Sequence, residues 1–151
     1  MTLNPASIPP DGRHRYAIRV YYEDTDAGQV VYHATYLRYA ERARTEALRD
    51  LGVPHAHMVN EHKVMFMVRN LEVDYQRAAR LDQALTVETE ILEIGGATMR
   101  LRQTVLNDEG PCVSLIVRLA CVQTIAPNKP GRIPPLWRDR LTAMKNHRPN
   151  Q

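Results

Sequence analysis

The sequence predicts an α+β protein in which a five-stranded antiparallel sheet wraps around one long helix. One strand-like segment comes first, a single helical segment follows, and four more strand-like segments complete the series. The last four strands are separated by short turns, and strands joined in this way pair antiparallel. The length of 151 residues fits one domain with its own core. The single helix must therefore cover the apolar face of the sheet.

The first strand and the helix are distinguished by a change in hydrophobic period. Residues 14–22 alternate between polar and apolar side chains, which predicts a strand. Residues 36–51 carry apolar side chains at helical spacing, with alanines on one side that allow close approach to a sheet. Gly52 and Pro54 then predict the end of this helix.

The other four strands are predicted from alternation and from turn residues. They cover residues 65–76, 85–94, 97–106 and 112–125. The Gly95-Gly96 pair indicates a hairpin, and residues 107–111 form a second turn. Because four prolines follow between residues 127 and 135, no regular structure is predicted after the last strand.

Composition places the chain among ordinary globular proteins, with 44% hydrophobic and 25% charged residues. No apolar run approaches the roughly 18 residues of a membrane span. Residues 1–14 are polar and proline-bearing, without the apolar stretch of a secretory signal, so we expect a flexible arm and a cytoplasmic protein. Cys112 and Cys121 lie nine residues apart in one strand, on opposite faces and too far apart for a disulfide.

The net charge of +3 is unevenly distributed along the chain. Residues 127–151 hold six lysines and arginines and one acid, whereas residues 1–126 hold 14 basic and 16 acidic side chains. We therefore divide the chain into the arm, a folded domain over residues 15–126, and a basic, proline-containing tail over residues 127–151. Such a tail can be a solvated terminus or can touch an anionic membrane surface. It lacks the interleaved aromatics of a nucleic-acid binder, so nucleic acid is not an expected partner.

The densest chemical signal lies between the first strand and the helix, in residues 21–33. This segment holds three acids and a histidine but no serine and no cysteine. A carboxylate before a helix start can act as a base or nucleophile, and the helix N–H groups can stabilise an oxyanion. Gly28 lets the backbone approach a ligand closely. Taken alone, the composition leaves open that Asp26 merely caps the helix and that His33 is structural.

A longer pattern joins these residues to the helix. It consists of Tyr22-Glu23-Asp24-Thr25-Asp26-Ala27-Gly28, Val31-Tyr32-His33, Tyr36-Leu37 and Glu41-Arg42-Ala43-Arg44-Thr45-Glu46. This pattern closely resembles the acyl-CoA thioesterase family associated with the bacterial Tol–Pal system. That family is related to 4-hydroxybenzoyl-CoA thioesterase, and the resemblance covers roughly residues 15–126. The fold it implies is the hotdog fold, whose element order matches the one predicted above.

The resemblance implies roles for individual residues. Asp26 is the catalytic carboxylate, acting on an acyl-CoA thioester as general base or as nucleophile, and His33 is its partner in the site. Gly28, Tyr32 and Tyr36 match positions at the substrate pocket. The chain departs from the family pattern at Gln29, where a second glycine is usual, and this change affects the mouth of the pocket.

The resemblance also implies a homo-oligomer, a dimer or tetramer with the active site at the subunit interface. No cofactor and no metal are implied, because His55 and His57 have no third ligand nearby in the sequence. The phosphates of CoA call for basic groups, for which Arg69, Arg77 and Arg80 are candidates by position. Two alternatives remain open: an enoyl-thioester hydratase or dehydratase of the same fold, and a non-catalytic acyl-binding or interaction protein. The acyl group itself is not predicted.

Overall fold

The computed structural model describes residues 7–147 and contains five strands and three α-helices within that range. The strands and helices are β1 (His14–Arg19), α1 (Thr35–Asp50), α2 (His55–His62), β2 (Val64–Tyr75), β3 (Ala84–Ile94), β4 (Thr98–Asn107), β5 (Gly110–Gln123) and α3 (Pro135–Asn146). A single turn of 3₁₀ helix, Tyr22–Asp24, follows β1. The strands form one sheet in the order β1-β3-β4-β5-β2, and every neighbouring pair is antiparallel. The predicted α+β architecture is confirmed.

The long helix α1 lies against the inner face of this sheet. Its small and aromatic residues face the sheet, and Tyr39, Ala40 and Ala43 are fully buried. Gln103 of β4 places a fully buried amide on the inner face. It donates to the Ala40 carbonyl oxygen at 2.9 Å and to the Thr89 hydroxyl at 3.0 Å. These bonds satisfy a polar group that would otherwise be costly to bury. A sheet wrapped around a central helix is the hotdog arrangement.

The first strand is shorter than its hydrophobic alternation predicts. Alternation predicts a strand through residue 22, but β1 ends at Arg19 and Tyr22 is 81% exposed. The chain turns because the Asp24 carboxylate accepts a hydrogen bond from the Tyr21 N–H at 2.9 Å. This local hydrogen bond between a side chain and the backbone thus replaces the sheet hydrogen bonds that the end of the predicted strand would make.

The prediction that regular structure ends with β5 is wrong. Helix α3 begins immediately after Pro134, with Pro135 at its first position, where the missing proline N–H costs nothing. Its residues Trp137, Leu141 and Met144 are buried in the core. This segment belongs to the predicted basic tail. If that tail were a solvated terminus, its charged side chains would all lie in water. Residues 1–6 of the predicted arm and residues 148–151 lie outside the described range.

Two arginines of α3 bind backbone carbonyl groups instead. Arg140 donates to the Leu51 carbonyl oxygen at 2.7 Å, where α1 ends, and Arg138 donates to the Gly95 carbonyl oxygen in the hairpin between β3 and β4. The ring of Trp137 stacks on His57 of α2 with centroids 5.6 Å apart. Part of the positive charge of this segment therefore holds α3 onto the domain. No helix in residues 7–147 is long and apolar enough to cross a membrane.

Candidate active site

Asp26 lies in a tight turn whose two ends are paired with each other. Thr25 and Val31 form an antiparallel bridge, and the Asp26 N–H donates to the Val30 carbonyl oxygen at 3.0 Å. Inside the turn, the Gly28 N–H donates to Asp26 Oδ1 at 2.9 Å. Gln29 takes a positive φ of 63°, a conformation for which glycine is the usual residue. This explains why a glycine suits this position, where the chain departs from the family pattern.

The carboxylate of Asp26 is exposed, and it does not cap α1. The helix begins at Thr35, and its N-cap residue, Ala34, makes no side-chain capping bond. The alternative in which Asp26 is a helix cap is therefore wrong. The start of α1 lies outside the turn that contains Asp26, because that turn is closed by its own bridge between Thr25 and Val31. Within residues 7–147, Asp26 Oδ2 makes no hydrogen bond, so one oxygen is held and the other is available.

A segment between β2 and β3 supports this turn. The Val31 N–H donates to the Ala79 carbonyl oxygen at 2.9 Å, and Val30 forms a bridge with Arg80. Of the three arginines predicted as CoA contacts, Arg80 is thus tied directly to the Asp26 turn. Arg77 instead lies 3.8 Å from Glu109 in an ion pair, and Arg69 lies at the bulge of β2.

His33 belongs to a cluster of aromatic rings that begins at Tyr32, one residue after Val31 of the bridge. Its ring centroid is 4.4 Å from that of Tyr32 and 6.4 Å from that of Tyr75. The Tyr75 hydroxyl donates to the His33 carbonyl oxygen at 2.8 Å. Tyr75 also packs edge-on against Tyr36 at 5.9 Å. The aromatic cluster of Tyr32, His33, Tyr36 and Tyr75 fixes the backbone at His33 while leaving its ring exposed.

Tyr36 connects the aromatic cluster to the Asp26 turn. Its hydroxyl accepts a hydrogen bond from the Ala79 N–H at 2.9 Å, and Ala79 is the residue whose carbonyl receives the Val31 N–H. Burial raises the pKa of Tyr36, so this hydroxyl stays neutral. Asp26 and His33 themselves share no hydrogen bond or ion pair within the described residues. Both side chains are exposed, and the two segments that carry them are linked through the contacts of Ala79, Tyr36 and Tyr75.

A small polar pocket of about 150 Å³ lies beside the start of α1. It is lined by Thr35, Arg38 and Arg42 of the helix and by the acids Glu23 and Asp24. Burial raises the pKa of Tyr39, and the neighbouring Asp24 carboxylate, which lines the pocket, raises it further. The sequence predicts no site role for Arg38 or for Arg42, although Arg42 lies in the family pattern and their spacing of four places both on one face of the helix.

The two histidines considered as metal ligands have other contacts. His55 Nε2 accepts a hydrogen bond from the Phe66 N–H at 3.1 Å, and burial lowers the pKa of the His55 ring. His57 stacks on Trp137 as described above. Both rings therefore serve the packing of α2 against its neighbours.

Residues 28–114 match the model of the thioesterase superfamily. The chain is similar to the acyl-CoA thioesterase YbgC of Haemophilus influenzae, with 46% identity over 112 residues that cover 74% of this chain and 82% of the relative. It is 41% identical over 121 residues to the acyl-CoA thioester hydrolase YbgC of Escherichia coli, covering 80% of this chain and 89% of the relative.

Among solved structures, a probable thioesterase from Bartonella henselae superposes with a TM-score of 0.76 at 36% identity, covering 81% of this chain and 99% of the other. Together with the sheet wrapped around α1, these findings confirm the hotdog fold. The chain belongs to the thioesterase superfamily.

Proposed function

We propose that this chain hydrolyses acyl-CoA thioesters to a free carboxylic acid and CoA, with Asp26 as the catalytic carboxylate. The observation that carries the proposal is the exposed Asp26 carboxylate. It accepts a hydrogen bond from the Gly28 N–H at 2.9 Å, in a turn whose two ends are joined by the Thr25–Val31 bridge. Relatives with 46% and 41% identity to this chain are named as an acyl-CoA thioesterase and an acyl-CoA thioester hydrolase. Nothing in the site favours the hydratase alternative.

Two routes are consistent with this geometry. As a general base, Asp26 takes a proton from water while the water oxygen bonds to the thioester carbonyl carbon; the C–S bond then breaks and CoA leaves as the thiol. As a nucleophile, Asp26 bonds to that carbon and expels the CoA thiolate, and water then hydrolyses the mixed anhydride. The Gly28 N–H holds Asp26 Oδ1. We therefore assign Oδ2 to the proton transfer in the first route and to the nucleophilic attack in the second.

The proposed partners of Asp26 have supporting roles. The ring of His33 orients the substrate or the water, the exposed Tyr32 lines the substrate side of the aromatic cluster, and the buried Tyr36 supports that side from within. Gly28 holds the carboxylate and leaves space above it. We propose Arg80 as a CoA contact because its backbone is paired with the Asp26 turn, and a guanidinium binds phosphate well.

A screen of short, long and aromatic acyl-CoAs with colorimetric detection of the free thiol tests the proposed reaction. We expect thiol release with at least one of these substrates. A folded protein that releases no thiol from any of them would contradict the proposal. Hydration of an enoyl-CoA without thiol release would indicate the hydratase alternative instead.

His33→Ala is expected to lower kcat on the best substrate by roughly tenfold, about 1.4 kcal/mol of barrier. The loss is modest because His33 orients groups and Asp26 performs the chemistry. Steady-state kinetics measure the change, and Tyr75→Phe is the matched control, because it removes the hydroxyl that holds the His33 backbone and keeps the imidazole. A His33→Ala enzyme with unchanged kcat would remove His33 from the site.

We propose that the chain forms a dimer or tetramer with the active site at the interface between subunits. Strand β2 is at the edge of the sheet and exposes Met67 and Val68, which are 42% and 44% accessible. An exposed apolar edge strand is a surface that proteins normally cover. Light scattering should give a multiple of 17.3 kDa, and a monomer at micromolar concentration would contradict this.

A cytoplasmic location, Tol–Pal association and membrane contact through the basic residues after 127 remain predictions.

A further inference from the structure

The polar pocket beside the start of α1 is lined by four charged side chains that do not pair with one another. Arg38 and Arg42 come from the helix, and Glu23 and Asp24 come from the 3₁₀ turn after β1. Within residues 7–147, neither arginine makes an ion pair or a side-chain hydrogen bond, and Glu23 makes none either. The guanidinium donors and the Glu23 carboxylate are therefore available to a ligand in this space.

A buried hydroxyl group lies close to the same pocket. Tyr39 is fully buried, and its hydroxyl has no hydrogen-bond partner at ordinary geometry among the described residues. Burial raises the pKa of Tyr39, the Asp24 carboxylate raises it further, and the Arg42 guanidinium lowers it. The hydroxyl thus lies within reach of two residues that line the pocket. Since an unpartnered polar group is costly to bury, a polar ligand in the pocket would supply what this hydroxyl lacks.

The lining of the pocket determines the chemistry of a ligand that fits it. All five lining residues are polar, so the pocket does not suit an apolar group. Two arginines and two acids give formal charges that cancel, and a simple anion or a simple cation would meet two like charges. A molecule that carries both charges is complementary to both walls. The volume of about 150 Å³ is below the roughly 300 to 1,000 Å³ of drug-sized sites, so this molecule must be small.

We propose that this pocket binds a small polar zwitterion of the α-amino acid class, with its carboxylate on Arg38 and Arg42 and its ammonium group on Glu23 and Asp24. The two arginines are four residues apart on one helix face, and a guanidinium binds a carboxylate through two parallel hydrogen bonds. An ammonium group has three donors for the two acids. None of these four side chains has a role in the proposed hydrolysis, so the site is a second one on the same chain.

Isothermal titration of the full chain with L-serine, in the absence of acyl-CoA, tests this site. Ethanolamine is serine without its carboxylate, and 3-hydroxypropionate is serine without its ammonium group. L-serine should bind at least tenfold more tightly than either analogue, a difference of about 1.4 kcal/mol. The proposal is overturned if neither L-serine nor glycine binds, or if one of the two analogues binds as tightly as L-serine.

Substitutions in the pocket provide a second test of the proposal. Arg42→Gln and Tyr39→Phe should each weaken L-serine binding by about tenfold or more. Tyr39→Phe should not lower the melting temperature of the unliganded chain, because it breaks no hydrogen bond. A folded Arg42→Gln or Tyr39→Phe protein that binds L-serine like the unmodified chain would also overturn the proposal.

Two control variants separate the pocket from the surface and from the active site. Arg49→Gln removes an exposed arginine of the same helix, which pairs with Glu46, and should bind L-serine like the unmodified chain. Asp26→Asn should bind L-serine normally even when it has lost turnover. Failure of the proposed hydrolysis and failure of this site would therefore be seen as different results.

Discussion

Replacing Trp137 by alanine is expected to lower the free energy of unfolding by about 3–5 kcal/mol, the range for large aromatic deletions in a core. Trp137 is 1% exposed and stacks on His57, so its loss leaves a cavity between α3 and α2. For a chain of this size the melting temperature should fall by roughly 10 °C. Urea denaturation at constant protein concentration measures the change directly.

Leu136→Ala is the matched control for Trp137→Ala. Leu136 is the preceding residue of α3 and is 37% exposed, so its truncation should change stability by no more than about 0.5 kcal/mol. Equal effects of the two substitutions would contradict the packing of α3 through Trp137. No effect of Trp137→Ala would show that α3 does not contribute to the core.

The structure changes what is expected of the chain after residue 135. From the sequence, residues from Leu136 onward are expected to be dispensable for chemistry. The structure places Leu141 and Met144 of this segment in the core along with Trp137. A chain ending at residue 134 should therefore have a lower free energy of unfolding. If it also lost turnover, the cause would be the lost structure, and the result would not show that residues of α3 take part in catalysis.

The sheet and α1 could be predicted because each has a long, regular hydrophobic period. Helix α3 was missed because four prolines between residues 127 and 135 were read as the end of regular structure. The spacing of Trp137, Leu141 and Met144 by four and then three residues is nonetheless that of one helix face, and proline at a first helical position starts a helix. Helix α2 has only eight residues, too few for a period to stand out.

The candidate site could be predicted in part, because a run of adjacent residues carries the family pattern. Asp26, Gly28 and His33 all lie in that run. Tyr75, which holds the His33 backbone, and Ala79, which receives Val31, come from a segment more than 40 residues later. Only the pairing of the Asp26 turn with this segment brings them together, and no local pattern in the sequence encodes that contact.

Asp26→Asn is expected to lower kcat by about 10²–10⁴-fold, equivalent to roughly 3–5 kcal/mol of barrier. Asparagine keeps the volume, and its side-chain oxygen can still accept the Gly28 N–H. The backbone bonds that close the turn do not involve the side chain. The fold should therefore survive while the base or nucleophile is lost.

The most direct test of thioester hydrolysis through Asp26 is kcat for the Asp26→Asn protein, measured on the best acyl-CoA of the screen alongside its melting curve. We predict a melting temperature within a few degrees of the unmodified chain, corresponding to about 1 kcal/mol or less, and a loss of turnover of at least a hundredfold. An Asp26→Asn protein that turns over within about threefold of the unmodified chain, well under one tenfold step in the barrier, would contradict the assignment.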